Sequence, residues 1–286
     1  MIIVDLSQVM ISNLMMQLGN HLNAQVDESM LRHMVINSLR TYNVKFGSEY
    51  GPMVIACDNT NIWRKNDFPY YKAARKKARE DSELNWKEIF ETLNKIRQEL
   101  KDYFPYRVID IETAEADDVI GALVAEFGNI INTGEKLLIL SGDKDYIQLH
   151  KYGNVKQYDP TRKKWITHND PEAFLKEHII KGDSSDGVPN ILSPDNCFVV
   201  GERQKPITKK RLDFYMSHDP KDFESNIIER NYHRNAMLID LSNTPKELCK
   251  RILNQYEEQA NKNKSKLMDY FMDKKLKNLL EHLNEF

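Results

Sequence analysis

Three short apolar runs in this chain each lead into aspartate. Ile2-Ile3-Val4 precedes Asp5, Val54-Ile55-Ala56-Cys57 precedes Asp58, and Leu137-Leu138-Ile139-Leu140 leads through Ser141-Gly142 to Asp143 and Asp145. Runs this short, with no polar alternation, read as parallel strands buried on both faces. Carboxylates just past their C-terminal ends stand where open α/β sheets hold their ligands. The expected fold is therefore α/β, with a central, mainly parallel sheet flanked by helices.

The intervening segments agree. Leu31, Met34, Val35, Ser38, Leu39 and Tyr42 are spaced for a helix over 28–42, and a right-handed crossover then brings Asp5 and Asp58 to one sheet edge. A helix is expected from Trp86 to Tyr103, ended by Pro105. Strand, helix and strand follow at Tyr106–Ile111, Asp117–Phe127 and Lys136–Leu140. Val155–Tyr158 and Trp165–Thr167, joined through Asp159-Pro160-Thr161-Arg162, read as a border hairpin. From about 170 the pattern is helical to the end, broken by a Gly/Pro/Asp-rich stretch at 182–206. Two parts are expected, an α/β domain at 1–168 and a helical region at 169–286. In the latter, Leu267, Tyr270, Phe271, Leu276, Leu279, Leu280 and Leu283 read as core packing in a last helix.

The formal net charge of −2 hides a segregation of sign, so local charge says more about partners than the average does. Cys57, Cys197 and Cys249 are far apart, with no CxxC spacing for a disulfide framework or a thiolate zinc site. No apolar run approaches the roughly 20 residues that span a bilayer, and Met1 leads directly into a strand pattern. The expectation is a cytoplasmic protein in a reducing compartment, with no membrane partner.

Two further acidic segments join the strand-end aspartates. Glu115-Ala-Asp-Asp118 opens a helix, and Asp183 and Asp186 lie in Gly182-Asp-Ser-Ser-Asp-Gly187. Asp5, Asp58, Glu115, Asp117, Asp118, Asp143, Asp145, Asp183 and Asp186 at one sheet edge would repel one another unless cations sat between them. Oxygen-only ligands favour Mg²⁺ or Mn²⁺, and the scattered histidines offer no zinc cluster. Two such ions about 3.5–4 Å apart can activate water, neutralise a phosphate and stabilise the leaving oxygen. Glu115 and Asp118 share a helix face, so both are expected to reach inward, with Asp117 displaced and reaching an ion only through water. Read alone, acidic residues at a helix start serve equally well as a cap.

Arg64, Lys65, Lys72, Arg75, Lys76, Lys77 and Arg79 interleave with Trp63, Phe68, Tyr70 and Tyr71. Cations that neutralise phosphates beside aromatic faces that stack bases suit a single-stranded nucleic acid, although such a run is also an ordinary solvated helix face. With few apolar anchors between Lys72 and Arg79, the segment is expected to lack fixed structure when empty. Lys205, Lys209, Lys210 and Arg211 form a second basic group at an expected helix start, suited to phosphates.

Together these residues resemble the 5′ nuclease, or flap endonuclease, family, its phage members in particular. The matching pieces are Ile3-Val-Asp-Leu-Ser7, Ile55-Ala-Cys-Asp-Asn59, Trp63-Arg-Lys65, Tyr70-Tyr-Lys-Ala-Ala-Arg75, Glu115-Ala-Asp-Asp118, Leu140-Ser-Gly-Asp-Lys-Asp-Tyr146, Gln148-Leu-His150, Val155-Lys-Gln157, Gly182 to Pro189 and the terminal Asn284-Glu-Phe286. The resemblance implies the PIN-like 5′-nuclease fold and a helix-three-turn-helix-like motif that grips duplex DNA. It also implies two Mg²⁺ ions, replaceable by Mn²⁺, and 5′ to 3′ cleavage of RNA primers in RNA–DNA hybrid and of 5′ flaps. Asp5, Asp58, Glu115, Asp117, Asp118 and Asp143 would surround the first ion, with Asp145, Asp183 and Asp186 toward the second. The basic tract, about 62–84, would be an arch over the site, in which Tyr71, Lys72 and Arg75 hold the substrate. Lys72 and Arg75 would offset charge developing on the scissile phosphate. A monomer is expected, with a single-strand-binding protein and a sliding clamp as replication partners. The chain departs from the family pattern at Gly187 and Asn190, and Ile191–Pro206 is not the short Gly-rich hairpin of a monovalent-ion site.

Overall fold

The computed structural model describes residues 1–19, 26–128 and 135–286; the side chains of 76–78 lie outside that description. Six strands form one sheet: β1 (Ile2–Asp5), β2 (Met53–Ala56), β3 (Arg107–Ile109), β4 (Leu137–Leu140), β5 (Val155–Asp159) and β6 (Lys164–Ile166). Their order is β3-β2-β1-β4-β5-β6, parallel throughout except for the β5–β6 hairpin. The chain builds outward from β1 to β3 and then returns to the other side of β1. The strand order therefore reverses between β1 and β4, and Asp5 and Asp143 flank that point at the strands' C-terminal ends, where a crevice opens for ligands.

Alternate residues of the strands feed two cores. Ile2, Val4, Ile55, Val108 and Leu138 face α1 (Leu6–Leu18), α2 (Glu28–Tyr50) and, after the short α3 (Arg64–Asp67) and α4 (Ala73–Glu80), α5 (Trp86–Tyr103). Ile3, Val54, Ile109, Leu137 and Ile139 face α6 (Ala116–Phe127). Helix α2 runs past the expected Tyr42 because Phe46 and Tyr50 continue its aromatic stripe, and it stops at Gly51, whose φ of 83° suits glycine.

After residue 169 the helices do two jobs. First, α7 (Pro171–Lys181), α8 (Lys209–Ser217) and α9 (Asn226–Ile239) gather around their own apolar clusters, one of which also takes in Phe68 and Tyr71. Then α10 (Lys246–Glu258) packs Leu248, Ile252 and Tyr256 into the α6 side of the sheet. Finally α11 (Leu267–Asp273) and α12 (Lys277–Leu280) bury Leu267, Tyr270, Phe271 and Leu279 on the opposite side. The single last helix expected from sequence is thus two short helices and a 3₁₀ turn, broken at Lys275 with φ 56°. The edge of β3 is covered by side chains of the α10 region. Gln259 accepts from Val108 N and donates to its carbonyl, both at 2.9 Å, and Gln255 accepts from Asp110 N at 2.7 Å.

The basic tract, expected to form an arch without fixed structure, contains helix. Residues 73–80 are helical, and the tract is anchored by Phe68 and Tyr71 in their apolar cluster and by polar contacts: Lys72 N donates to Asp186 O at 2.7 Å, and the Lys72 and Arg75 side chains pair with Asp186.

Candidate functional site

Asp5 ends β1 and also caps α1, accepting from Gln8 N and from Ser141 Oγ at 3.1 Å each. Burial, followed by repulsion from Asp58, pushes its carboxyl up to about 7 against those two hydrogen bonds. Asp58, exposed past β2, accepts from Ala116 N at 2.9 Å and so ties the start of α6 to the sheet edge. Asp143 is held past β4 by a backbone framework. Gln157 Nε2 donates to Ser141 O and Asp143 O at 2.9 and 2.5 Å, and Gln8 Oε1 accepts from Gly142 N at 2.6 Å.

At the start of α6 the two neighbouring aspartates exchange the places expected of them. Asp118 is fully buried and faces away from the crevice. Its oxygens accept from Arg64 (2.8 and 3.0 Å), Trp63 Nε1 (3.2 Å), Thr244 Oγ1 (2.9 Å) and Glu115 N (2.9 Å). Its acceptor sites are filled, and it acts as the cap that its position also allowed. Asp117, expected to stand off, faces the other carboxylates and accepts from Tyr146 Oη at 2.5 Å. Burial, then Glu115 and Asp143, hold Asp117 well above the ordinary carboxylate range, with Lys72 opposing. Glu115 turns toward the arch: Arg64, Tyr71 and Lys72 all donate to it.

Three nucleic-acid contacts expected from sequence change character. Arg64 is 1% exposed, paired to Glu115 and Asp118 and donating to Leu238 O at 2.9 Å, so no phosphate can reach it. Tyr71 is buried, its phenol oxygen 2.9 Å from Asp186 and 3.1 Å from Glu115, which leaves no free face for a base; Trp63 and Phe68 are buried as well. Long-range carboxylates captured what looked like surface groups. Lys72 is a partly buried cation between Glu115 and Asp186, in a left-handed backbone with φ 55°. Burial works against its charge, but Asp186 and Glu115 hold it protonated beyond the usual range. Arg75 pairs with Asp186 and stays half exposed. Lys65 and Arg79 are exposed, Arg79 over the Phe90 ring, and the side chains of Lys76 and Lys77 lie outside the described residues. Lys205 is exposed; Lys209, Lys210 and Arg211 form the exposed first turn of α8, as expected, behind the Thr208 cap.

Asp145 and Asp183 meet below the arch root, together with His178, which sequence reading passed over among the scattered histidines. Burial, then Asp143, Asp117, Asp183 and Asp186, raises Asp145 well above its ordinary range. Gly187, one of the departures from the family pattern, has φ 74°, and a Cβ there would lie 3.0 Å from Tyr70 O, so glycine lets the aspartate loop close on the arch. Asn190, the other, pins this loop to 204–205 through Gln204 Oε1 (2.7 Å) and Lys205 O (2.8 Å).

Glu115, Asp118 and Asp186 thus form ion pairs, whereas Asp5, Asp58, Asp117 and Asp143 form none among the described residues, Lys72 acting on Asp117 without pairing with it. Repelling carboxylates without an ion pair fit divalent ions. A stability test follows. The native state holds the Asp5 proton up to about pH 7, while an unfolded aspartate releases it near 4, so this group's stabilisation is greatest at low pH and is lost as pH rises between those values. In EDTA, Asp5→Asn should raise the melting temperature at pH 8 and change it little at pH 4; equal shifts at both would show that Asp5 is not strained by burial.

A profile of the 5′–3′ exonuclease N-terminal resolvase-like domain matches residues 4–178, and one of the phage T4 ribonuclease H C-terminal region matches residues 169–286. The chain belongs to the 5′–3′ exonuclease family. It is similar to the ribonuclease H of Enterobacteria phage T4, 36% identical over 99% of this chain and 95% of that protein. It is also 28% identical to a Buchnera aphidicola 5′-3′ exonuclease, over 49% of this chain and 47% of that one. Among solved structures, the bacteriophage T5 flap endonuclease in complex with DNA and metal ions shares the fold, with a TM-score of 0.60 and 17% identity, covering 91% of this chain and 98% of that one. The T5 5′-exonuclease with bound zinc gives 0.61, at 16% identity and 91% and 99% coverage. No helix among the described residues is long and apolar enough to cross a membrane.

Proposed function

We propose that this chain is a 5′ to 3′ nuclease that removes RNA primers and 5′ flaps from duplex DNA, using two divalent ions, Mg²⁺ by preference. The observation that carries this is the repulsion among carboxylates at the C-terminal edge of the sheet, Asp58 and Asp143 acting on Asp5 and Asp143 on Asp117, with none of these four in an ion pair among the described residues. These four would hold one ion, and Asp145, Asp183 and Asp186 a second. Asp118 is a buried partner of Arg64 in this reading, and Glu115 orients Lys72. Bound ions supply a water of lowered pKa and neutralise the attacked phosphate. Lys72 and Arg75, at the rim of the acidic group, donate to the phosphate as charge develops on it. Lys65, Arg79 and the basic first turn of α8 lie outside the crevice, suited to backbone phosphates of the flap and the duplex. The division into a nuclease part at 1–168 and a helical part at 169–286 is drawn where the second family profile begins, although the first runs on to 178.

The test is cleavage of an RNA–DNA hybrid, a 5′-flap duplex and single-stranded RNA, end-labelled, with Mg²⁺ and with EDTA. Short products from the 5′ end of the first two, only with metal, are expected; cutting of single-stranded RNA alone would overturn the reading. Lys72→Ala should lower single-turnover cleavage about 10²–10³-fold while leaving duplex affinity within a few-fold. An unchanged rate would remove Lys72 from the mechanism.

A further inference from the structure

His178 stands in the last turn of α7, opposite the second group of carboxylates. Its Nδ1 lies 3.5 Å from Asp145 Oδ1 and its Nε2 3.8 Å from Asp183 Oδ2. Both separations are too long for hydrogen bonds. The ring makes no hydrogen bond among the described residues; its other neighbour is the edge of Phe174. Two ligands on one ion at about 2.1 Å stand roughly 3.0 Å apart at octahedral corners and 3.4 Å apart at tetrahedral ones. The two contacts come from different ring nitrogens, only one of which can bind a given ion, and both exceed those spacings; one ligand atom from each of the three residues falls within 4.8 Å of the others, so the side chains would draw in around a shared ion.

The backbone builds this approach. Gly182 ends α7 in a left-handed turn, its N donating to His178 O at 2.8 Å, and a Cβ there would meet Val188 O at 2.4 Å. Only glycine lets the chain double back so that Asp183 faces the helix's last turn. Asp183 Oδ1 is taken by Ser185 N and Oγ, both at 2.7 Å, which turns Oδ2 toward the imidazole. The Asp145 carboxylate accepts no hydrogen bond among the described residues.

We infer that His178 is a nitrogen ligand of the second ion, shared with Asp145 and Asp183, and that it gives this site a preference for Mn²⁺, Co²⁺ or Zn²⁺ over Mg²⁺. The inference rests on the reading above that Asp145 and Asp183 hold the second ion. Magnesium seeks oxygen and sheds water reluctantly, whereas later first-row ions accept imidazole readily. The two sites would then differ in kind, one all-oxygen and one mixed.

The experiment uses the full chain stripped with EDTA and loaded with Mn²⁺ in the presence of excess Mg²⁺. Pulsed EPR should show imidazole ¹⁴N coupling on bound Mn²⁺. In His178→Gln the coupling should vanish, and Mn²⁺ affinity at one site should fall roughly tenfold or more. Bound Mn²⁺ without nitrogen coupling in the unaltered chain overturns the inference, as does coupling that survives His178→Gln; the first result needs no variant to fold. Flap cleavage in Mg²⁺ is measured alongside. Normal cleavage without nitrogen coupling removes only this inference, while nitrogen-coupled Mn²⁺ in a protein that cuts no substrate removes the nuclease reading and leaves the mixed site standing.

Discussion

Asp143→Asn should abolish hydrolysis while leaving the melting temperature in EDTA unchanged or higher. Asp143 is exposed past β4, and its backbone position depends on Gln157 and Gln8 rather than on its own carboxylate. The one bond its side chain makes among the described residues, from Asp145 N at 3.0 Å, survives the change to an amide, because an asparagine oxygen also accepts. What disappears is a negative charge that repels Asp5, Asp117 and Asp145. Loss of activity with gain of stability is the signature of a group placed for function at the expense of folding. Asp117→Asn should behave alike, whereas Asp118→Asn should destabilise the fold, because Asp118 is the acceptor for Arg64, Trp63 and Thr244. Calorimetry beside a flap-cleavage assay separates the outcomes. Normal turnover by Asp143→Asn would overturn the site assignment, and a stable, inactive Asp118→Asn would return Asp118 to the ion.

Arg64→Met should produce the largest loss of stability. The substitution keeps much of the aliphatic volume and leaves Glu115 and Asp118, each at most 1% exposed, without their guanidinium. Breaking a buried pair from one side costs about 3–5 kcal/mol, because the remaining charges stay desolvated. Against a typical total of about 5–15 kcal/mol, that is a large part of what holds a domain folded. Urea denaturation measures it. Restoring neutrality with Arg64→Met, Glu115→Gln and Asp118→Asn together should recover part of the loss. An Arg64→Met protein that melts normally and binds DNA weakly would instead restore the surface role that the sequence suggested for this arginine.

The strands, the helices between them and most of the acidic residues were legible because each rests on local pattern: an apolar run, a helical period, a carboxylate at a strand end; the strand order, set by pairing between distant segments, was not. The errors share one cause. A three-residue spacing put Glu115 and Asp118 on one helix face, but Glu115 is the extended residue before α6, and the direction of the two carboxylates depends on Arg64 and Thr244, 51 and 126 residues away from their acceptors. Arg64 and Tyr71 looked like surface cations and stacking rings because residue type was read without the carboxylates that bury them. His178 left no local signal at all. Its neighbours come from the turn at Gly182 and from the loop after β4.

The placement of α10, α11 and α12 on opposite faces of the sheet bears on how such a chain is made. Ile2 and Val4 belong to the same buried cluster as Leu267, Tyr270 and Phe271, and the exposed edge of β3 waits for Gln255 and Gln259. During synthesis the strands and their acidic crevice are all extruded before the segments that seal them. Contacts this distant in sequence slow folding, and an unsealed sheet exposes apolar faces and an open edge. A half-made chain would therefore carry every acidic residue of the crevice without a finished scaffold to hold them, so cutting competence should arrive late, with the helices that close the two faces.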